Sequence, residues 1–463
     1  MTALSLACTT VDVTPPAGTA LAGYVARGSD VAHGCHDPLE ATLVWLSDPS
    51  TGQDVVWISL DVVGVDVDLS RAVAASVAEA TGCKEAAVLL CASHSHSSAA
   101  GWFRRPGREM QPDPDDTDSL LRGRLVQQIA EAARSLPSRL RPVCLLSAEG
   151  PVRGVGANRH RLDGPRDDTV GCTAAVDESG SVVAVLVNYA SHPTVLGHAN
   201  LLWSADWPGA AREALADALI GRSPFGSGPP GKQRPARPTI LFLQGAAGDT
   251  SARFVRRSQS FAEVDRLGGL FAAQTLTALL DASETPTVGS LVVTRTGVTL
   301  PTRPRVPPAV VLGEADRARS AWETVRAEHA EGSAQERIAR TRHEGAQAAL
   351  QRAHSELPAT YELPLTVVAL GDHAWVHLPV ELFASFGLRI RAESPFATTR
   401  VVGYTDGYFG YVPDAAAYRE GTYEAGVSVF DAEGAELLCR RAIDLVQQAA
   451  RKVAEMASER PAM

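Results

Sequence analysis

The sequence predicts an α/β protein in which mixed β-sheets are flanked by helices. Three observations lead there. Between residues 39 and 100 apolar, strand-like runs alternate with a stretch of helical spacing, and the same alternation returns between 181 and 282. The runs are also nearly continuously apolar, as expected where both faces of a sheet are covered.

In chain order, LEATLVWLS and DVVWISLDVVG read as strands, SRAVAASVAEATG as a helix, and EAAVLLCASHSH as a strand with a polar end. SVVAVLVNYASH, 181–192, is a strand ending in His192, and WPGAAREALADALIG, 207–221, is a helix that Asp206 is placed to cap. TILFLQGAAGDTS, 239–251, is a strand entering a Gly-rich turn, with a helix after it over 260–282. The stretch 222–238 is too dense in Gly and Pro for regular structure and reads as a surface loop. Residues 313–356, rich in Ala, Glu and Arg and broken at Glu331-Gly332-Ser333, read as a helical hairpin inserted in the domain. ELPLTVVALGD and HAWVHLPVE are strands, followed by a helix over 383–393 and a final helix. With no fixed-period repeat, a single domain over 1–463 is expected.

A charge of −10 and a pI near 5.7 argue against nucleic acid or an anionic membrane as the main partner. Seven cysteines without CxxC spacing do not form a disulfide framework. The N-terminal LSLAC is too short for a secretory leader, and no window reaches the roughly 18 apolar residues of a membrane helix. These features predict a cytoplasmic protein without stable membrane insertion.

The recurring device is a strand that ends in polar residues: at His94 and His96, at His192, at Asp249 and Ser251, and at Glu381. Strand ends in α/β sheets are where sites are assembled. In an extended segment His94 and His96 would share one face, either as two metal ligands or as a ligand beside a proton carrier. Asp249 and Asp206 are candidates for carboxylates that orient a ligand histidine. His36, His198, His373 and His377 read as structural. A metallo-β-lactamase pattern would need Asp and His where Ser98 and Ala99 stand. A TIM-barrel amidohydrolase would place its HxH on the first strand, and here it follows at least two.

CASHSHSSAAG, NYASHPTV, GAAGDTSAR, LPVELFASFG and GYFGYVPDAAAYREGTYEAG, in this order from Asp12 to Gly426, resemble the catalytic-domain motifs of the neutral/alkaline non-lysosomal ceramidase family. The resemblance implies that family's α/β catalytic domain without its C-terminal β-sandwich, and a Zn²⁺ site. It implies His94, His192, Glu381 and Tyr411 as metal ligands, with Tyr408 or Tyr404 as substitutes for Tyr411. It further implies His96 as a proton-transfer or substrate group, Tyr423 as a group polarising the carbonyl, Arg159 lining the site, and Ser251 as nucleophile or substrate contact. The Pro-Gly-Gly turn usual after the HxH is missing, which bears on the pocket mouth and hence on the substrate.

The expected function is therefore hydrolysis of a linear or cyclic amide by zinc-activated water, on a small-molecule acyl amide other than ceramide. Two alternatives stay open. The same site could hydrolyse an ester or lactone or form an amide, or the chain could bind metal without turnover.

Overall fold

A computed structural model of the chain describes residues 4–28, 30–103, 116–220, 237–282, 286–330 and 333–458. The surface loop expected at 222–238 lies outside these residues except for its last two positions.

An eight-stranded mixed sheet runs in the order Thr239–Gln244, Val182–Tyr189, Thr169–Asp177, Arg141–Pro151, Leu4–Asp12, Glu40–Asp48, Gln53–Leu60, Val88–Ala92. The outermost pair at each end is parallel and the inner pairs are antiparallel. A second, four-stranded sheet consists of Leu291–Pro301, Thr360–Leu370, His373–His377 and Thr398–Val402.

Side chains alternate between two apolar layers, which explains the continuous apolar runs. Leu43 and Trp45 face helices Val67–Thr81 and Asp116–Ala133, while Val44 and Leu46 face the second sheet. Ile240 and Phe242 pack on helices Asp206–Leu219 and Phe261–Leu280, while Leu241 and Leu243 join the layer between the sheets. Val292, Val367, Ala369 and Val376 face helix Ala432–Ser458 through Leu438, Ala442 and Ile443. The result is a sandwich of two sheets between outer helices.

The large sheet curls until its two edges approach. Ser59 Oγ donates to Phe242 O at 2.5 Å. The segment after Val402 stitches both edges: Gly403 N donates to Gln244 O (2.9 Å), and Ala92 N donates to Tyr404 O (3.0 Å). Edge strands that would otherwise expose unpaired amides are thereby closed at the place where both carry polar ends.

Several expectations need correction. Strand Val88–Ala92 stops before Ser93, because tertiary hydrogen bonds take over from ladder pairing, whereas Thr239–Gln244 enters the Gly-rich turn as expected. The hairpin is longer than 313–356 at its start, with helices Pro308–Glu328 and Ala334–His354, since Pro308 occupies a helix-compatible first position. Asp206 does not cap its helix. It is the first helical residue, at φ 57°, after Ala205 as cap. Its carboxylate accepts from Trp207 N (2.7 Å), Leu196 N (3.0 Å) and Val195 N (3.2 Å), tying the helix to the turn after His192. Burial raises that carboxyl to about 6. The first strand, Leu4–Asp12, was not anticipated although it lies inside the large sheet.

His377 has a structural role in the core between the sheets. Trp57 Nε1 donates to His377 Nε2 at 3.1 Å, so this nitrogen must keep its lone pair. Burial lowers His377 to about 3 from an ordinary 6.5. The unfolded chain therefore binds this proton first as pH falls. The contribution is complete above about pH 6.5 and is lost progressively from there towards the folded value. Denaturant unfolding across this range should show a shallower acid loss in His377→Gln than in the parent chain. Identical slopes would contradict the assignment.

Candidate metal centre

The two histidines of SHSHSS do not share a strand face. The strand ends at Ala92, and His94 adopts a left-handed backbone, φ 73°. An L-residue holds that conformation only where the surroundings over-determine it. The serines supply much of this constraint. Ser95 Oγ donates to Ser204 O (2.6 Å), Ser98 Oγ to Ser95 O (2.9 Å), and Val63 N to Ser98 Oγ (3.1 Å). Their hydroxyls fold the loop, and the turn directs His94 inward with Nδ1 2.5 Å from Val63 O.

His192 arrives from the other edge region. Its backbone N donates to Thr250 O (2.9 Å), and its Nδ1 lies 2.7 Å from Ala247 O and 3.2 Å from Thr250 O. One buried amide couples the two turns. Gln244 Nε2 donates to Ser93 O (3.1 Å) and Ser191 O (3.0 Å), and Gln244 Oε1 accepts from Ser191 N (3.1 Å). Gln244 thus grips the residue before each histidine. The sequence signal was the polar residue closing TILFLQ, the same device that marked the histidines.

Glu381 and Tyr411 stand opposite each other in a short parallel ladder, Glu381–Leu382 on Tyr411–Val412. Glu381 Oε2 lies 3.2 Å from His94 Nε2 and 3.1 Å from His192 Nε2. Its Oε1 accepts from the Tyr408 hydroxyl. His96 Nε2 is 3.2 Å from His94 Nε2, and the ligand atoms of His94, His96 and His192 lie within 4.8 Å of one another. Tyr408 is thus bonded to Glu381. Tyr404 lays its ring 4.2 Å from that of His94, and Tyr411 lies 6.4 Å from His192, centroid to centroid.

Arg159 reaches the same group. Its Nη1 is 3.4 Å from His192 Nε2, its Nε donates to Glu424 Oε1 at 2.7 Å, and its guanidinium carbon sits 5.3 Å from the Tyr411 ring centroid. Tyr423 packs edge-on to Tyr411 at 6.1 Å. Together with His96, Glu381 and Tyr408, these two tyrosines line a cavity of about 90 Å³. Ser251 pairs with Ala157 in a short ladder, and its Oγ accepts from Arg253 N at 3.3 Å. Among the described residues no histidine nitrogen bonds that hydroxyl. Asp249 does not orient a histidine ring. Its carboxylate accepts from Ala384 N (2.8 Å) and Asn158 Nδ2 (2.8 Å), joining the segments that carry Glu381 and Arg159. The orienting groups of His94 and His192 are carbonyls instead of carboxylates.

Arg27 was not found from the sequence. Its buried guanidinium donates to His96 O (2.8 Å), Asn200 O (3.1 Å), His198 O (3.3 Å) and Gly197 O (3.4 Å), and also to Ala22 O. Gly23, at φ 100°, lies so close that a Cβ there would sit 2.6 Å from His96 Cβ.

The donor set fits a metal ion. Nδ1 of His94 and of His192 each face carbonyl acceptors, so each Nδ1 carries the proton and each Nε2 presents a lone pair. Those lone pairs converge on a carboxylate oxygen, which also only accepts. Buried acceptors in such contact repel unless a cation lies between them, and two imidazoles with one carboxylate are a zinc-type set. Burial raises the Glu381 carboxyl, yet His94 and His192 outweigh it and hold it well below the usual carboxylate range. Burial, then the Arg159 charge and His94, push His192 down to about 4, keeping it neutral for ligation. Burial drives the Tyr411 phenol well above its ordinary value, against the Arg159 charge.

No protein-family model matches the chain, and no curated protein sequence matches it. Among solved structures it is similar to neutral ceramidase from Pseudomonas aeruginosa, with a TM-score of 0.73 and 17% identity, over 97% of this chain and 75% of that one. It is equally similar to a ceramidase complexed with C2, with a TM-score of 0.73 and 17% identity, over 97% of this chain and 76% of the other. At this identity the likeness shows the fold, an α/β arrangement of a large mixed sheet flanked by helices.

Because Gln244 grips both histidine turns, Gln244→Leu should weaken divalent-metal affinity by about tenfold, as for other groups supporting metal ligands. Competition with a chromophoric chelator measures it, with the metal-free unfolding midpoint as control. Unchanged affinity would remove Gln244 from the positioning role.

Proposed function

We propose that this chain, which has the neutral-ceramidase fold, is a zinc-dependent hydrolase cleaving an amide bond of a small acyl compound. One observation carries the reading: Glu381 Oε2 lies 3.2 Å from His94 Nε2 and 3.1 Å from His192 Nε2 while both Nδ1 protons are committed to backbone carbonyls. His94, His192 and Glu381 would hold the ion, with Tyr411 as a fourth ligand opposite Glu381 in the short ladder. When bound, the ion would polarise the acyl carbonyl and make water acidic near neutral pH.

The remaining chemistry belongs to the chain's own groups. His96, beside His94 and on the cavity wall, is placed to hand a proton to the departing amine. Tyr423, also on that wall, offers a hydroxyl to the oxygen that gains charge. Arg159 keeps positive charge against Tyr411 and makes release of its phenolic proton less costly. Tyr408 fixes the rotamer of Glu381 so that Oε2 faces the imidazoles. With no histidine nitrogen among the described residues bonded to its hydroxyl, Ser251 acts as a substrate contact instead of a nucleophile.

The missing Pro-Gly-Gly turn after the HxH, at the pocket mouth, supports a substrate other than ceramide. Seven free thiols support the cytoplasmic placement. Among the described residues no helix is long and apolar enough to cross a membrane.

Metal analysis of the purified chain should find about one zinc, lost in His94→Ala and His192→Ala. Retention of zinc by both variants would sink the site. On a panel of N-acyl amides, esters and lactams, Ser251→Ala should keep most of its kcat while His96→Ala loses it. Loss of all turnover in Ser251→Ala would instead indicate covalent catalysis.

A further inference from the structure

Next to the metal centre, positive charge exceeds its partners. Arg159 lies against His192, and its partner Glu424 is shared with His160, whose Nε2 is 3.2 Å from Glu424 Oε2. Arg253 follows Ser251, which bridges to His192, in the turn Ala252–Phe254. Arg256 bonds the carbonyl of Thr194, two residues past His192. Arg337 comes from the first turn of helix Ala334–His354, which packs on the helix Tyr423–Val427. There a Cβ on Gly345 would lie 3.4 Å from Tyr423 Cδ2.

Arg253 is within electrostatic reach of Arg159, Arg337 and Arg256, with Glu424 as the acidic neighbour. Among the described residues neither the Arg253 nor the Arg337 guanidinium has a hydrogen-bond or ion-pair partner. Burial, then Arg159, Arg337 and Arg256, lower Arg253 to about 10. Half-buried guanidiniums that outnumber the acids beside them, Glu424 and, for Arg256, Asp206, repel one another, and their planar forks match carboxylate and phosphate oxygens.

Resting on the hydrolase reading above, we propose that Arg253 and Arg337, backed by Arg159 and Arg256, form an anion subsite beside the metal centre. It receives a carboxylate or phosphate carried by the substrate near the scissile amide. This narrows the substrate class from acyl amides in general to anionic ones.

The test uses the purified full chain loaded with zinc. Thermal melts are run in inorganic phosphate, in succinate and in chloride matched for ionic strength. The subsite predicts a higher Tm in phosphate or succinate than in chloride, and the anion that acts identifies the substituent. The R253Q/R337Q double variant should lose this increment, yet melt no lower than the parent without anion at low salt, because like-charge repulsion is relieved. Equal melts in all three salts would overturn the subsite. So would an increment that survives in the double variant, or a double variant that melts lower without anion. Hydrolysis of N-decanoylglycine, N-decanoyl-O-phosphoethanolamine and N-decanoylethanolamine then separates the two readings. An anionic amide should lead the neutral one by about tenfold in kcat/KM, a ratio that falls in the double variant. Cleavage of all three at equal rate contradicts the subsite and leaves the hydrolase standing. Cleavage of none, with anion-dependent melts intact, contradicts the hydrolase and leaves the subsite standing.

Discussion

The arrangement of this molecule depends on a contact that would be repulsive by itself: two imidazole lone pairs and a carboxylate oxygen facing one another out of water. Holding them there requires that every other polar atom on those side chains be committed elsewhere. Val63 O and Ala247 O take the Nδ1 protons, and the Tyr408 hydroxyl takes the second carboxylate oxygen. A cation among these three atoms would turn the repulsion into binding energy, as the proposed zinc site requires.

The fold supplies the rigidity for this. Each histidine follows a different parallel strand of one sheet, and Glu381 follows the second sheet, so the site exists only because the large sheet curls and the small one packs on it. The stitching by 403 and 404, the Gln244 amide and the Arg27 guanidinium act at these junctions. Each satisfies several buried backbone groups at once, a role for which a long side chain with several donors is suited.

Much of this was legible in the sequence, for identifiable reasons. Fully buried strands announce themselves by continuous apolar runs, and a polar residue ending such a run is conspicuous, so His94, His192 and Glu381 stood out. Leu4–Asp12 was missed because its outward positions carry Thr and Cys, which lack an apolar signature, and only its pairing partners make it a strand. Nothing local marks Arg27, because its partners at 96 and 197–200 are distant in sequence. Asp206 was misread for the same reason. An Asp before a helix looks like a cap, and only the returning turn at 195–196 shows what its carboxylate bonds. The pairing of Arg253 with Arg337 was equally invisible, since it depends on how the hairpin lies over the helix of Tyr423.

The central claim is that one ion sits among two imidazoles and a carboxylate. Zinc-edge X-ray absorption on the stoichiometrically loaded chain tests it most directly. The account predicts a first shell of nitrogen and oxygen at about 2.0–2.2 Å with imidazole outer-shell scattering from two rings, unchanged in His96→Ala. A sulfur shell at about 2.3 Å, or a shell of water oxygens without imidazole scattering, would contradict it.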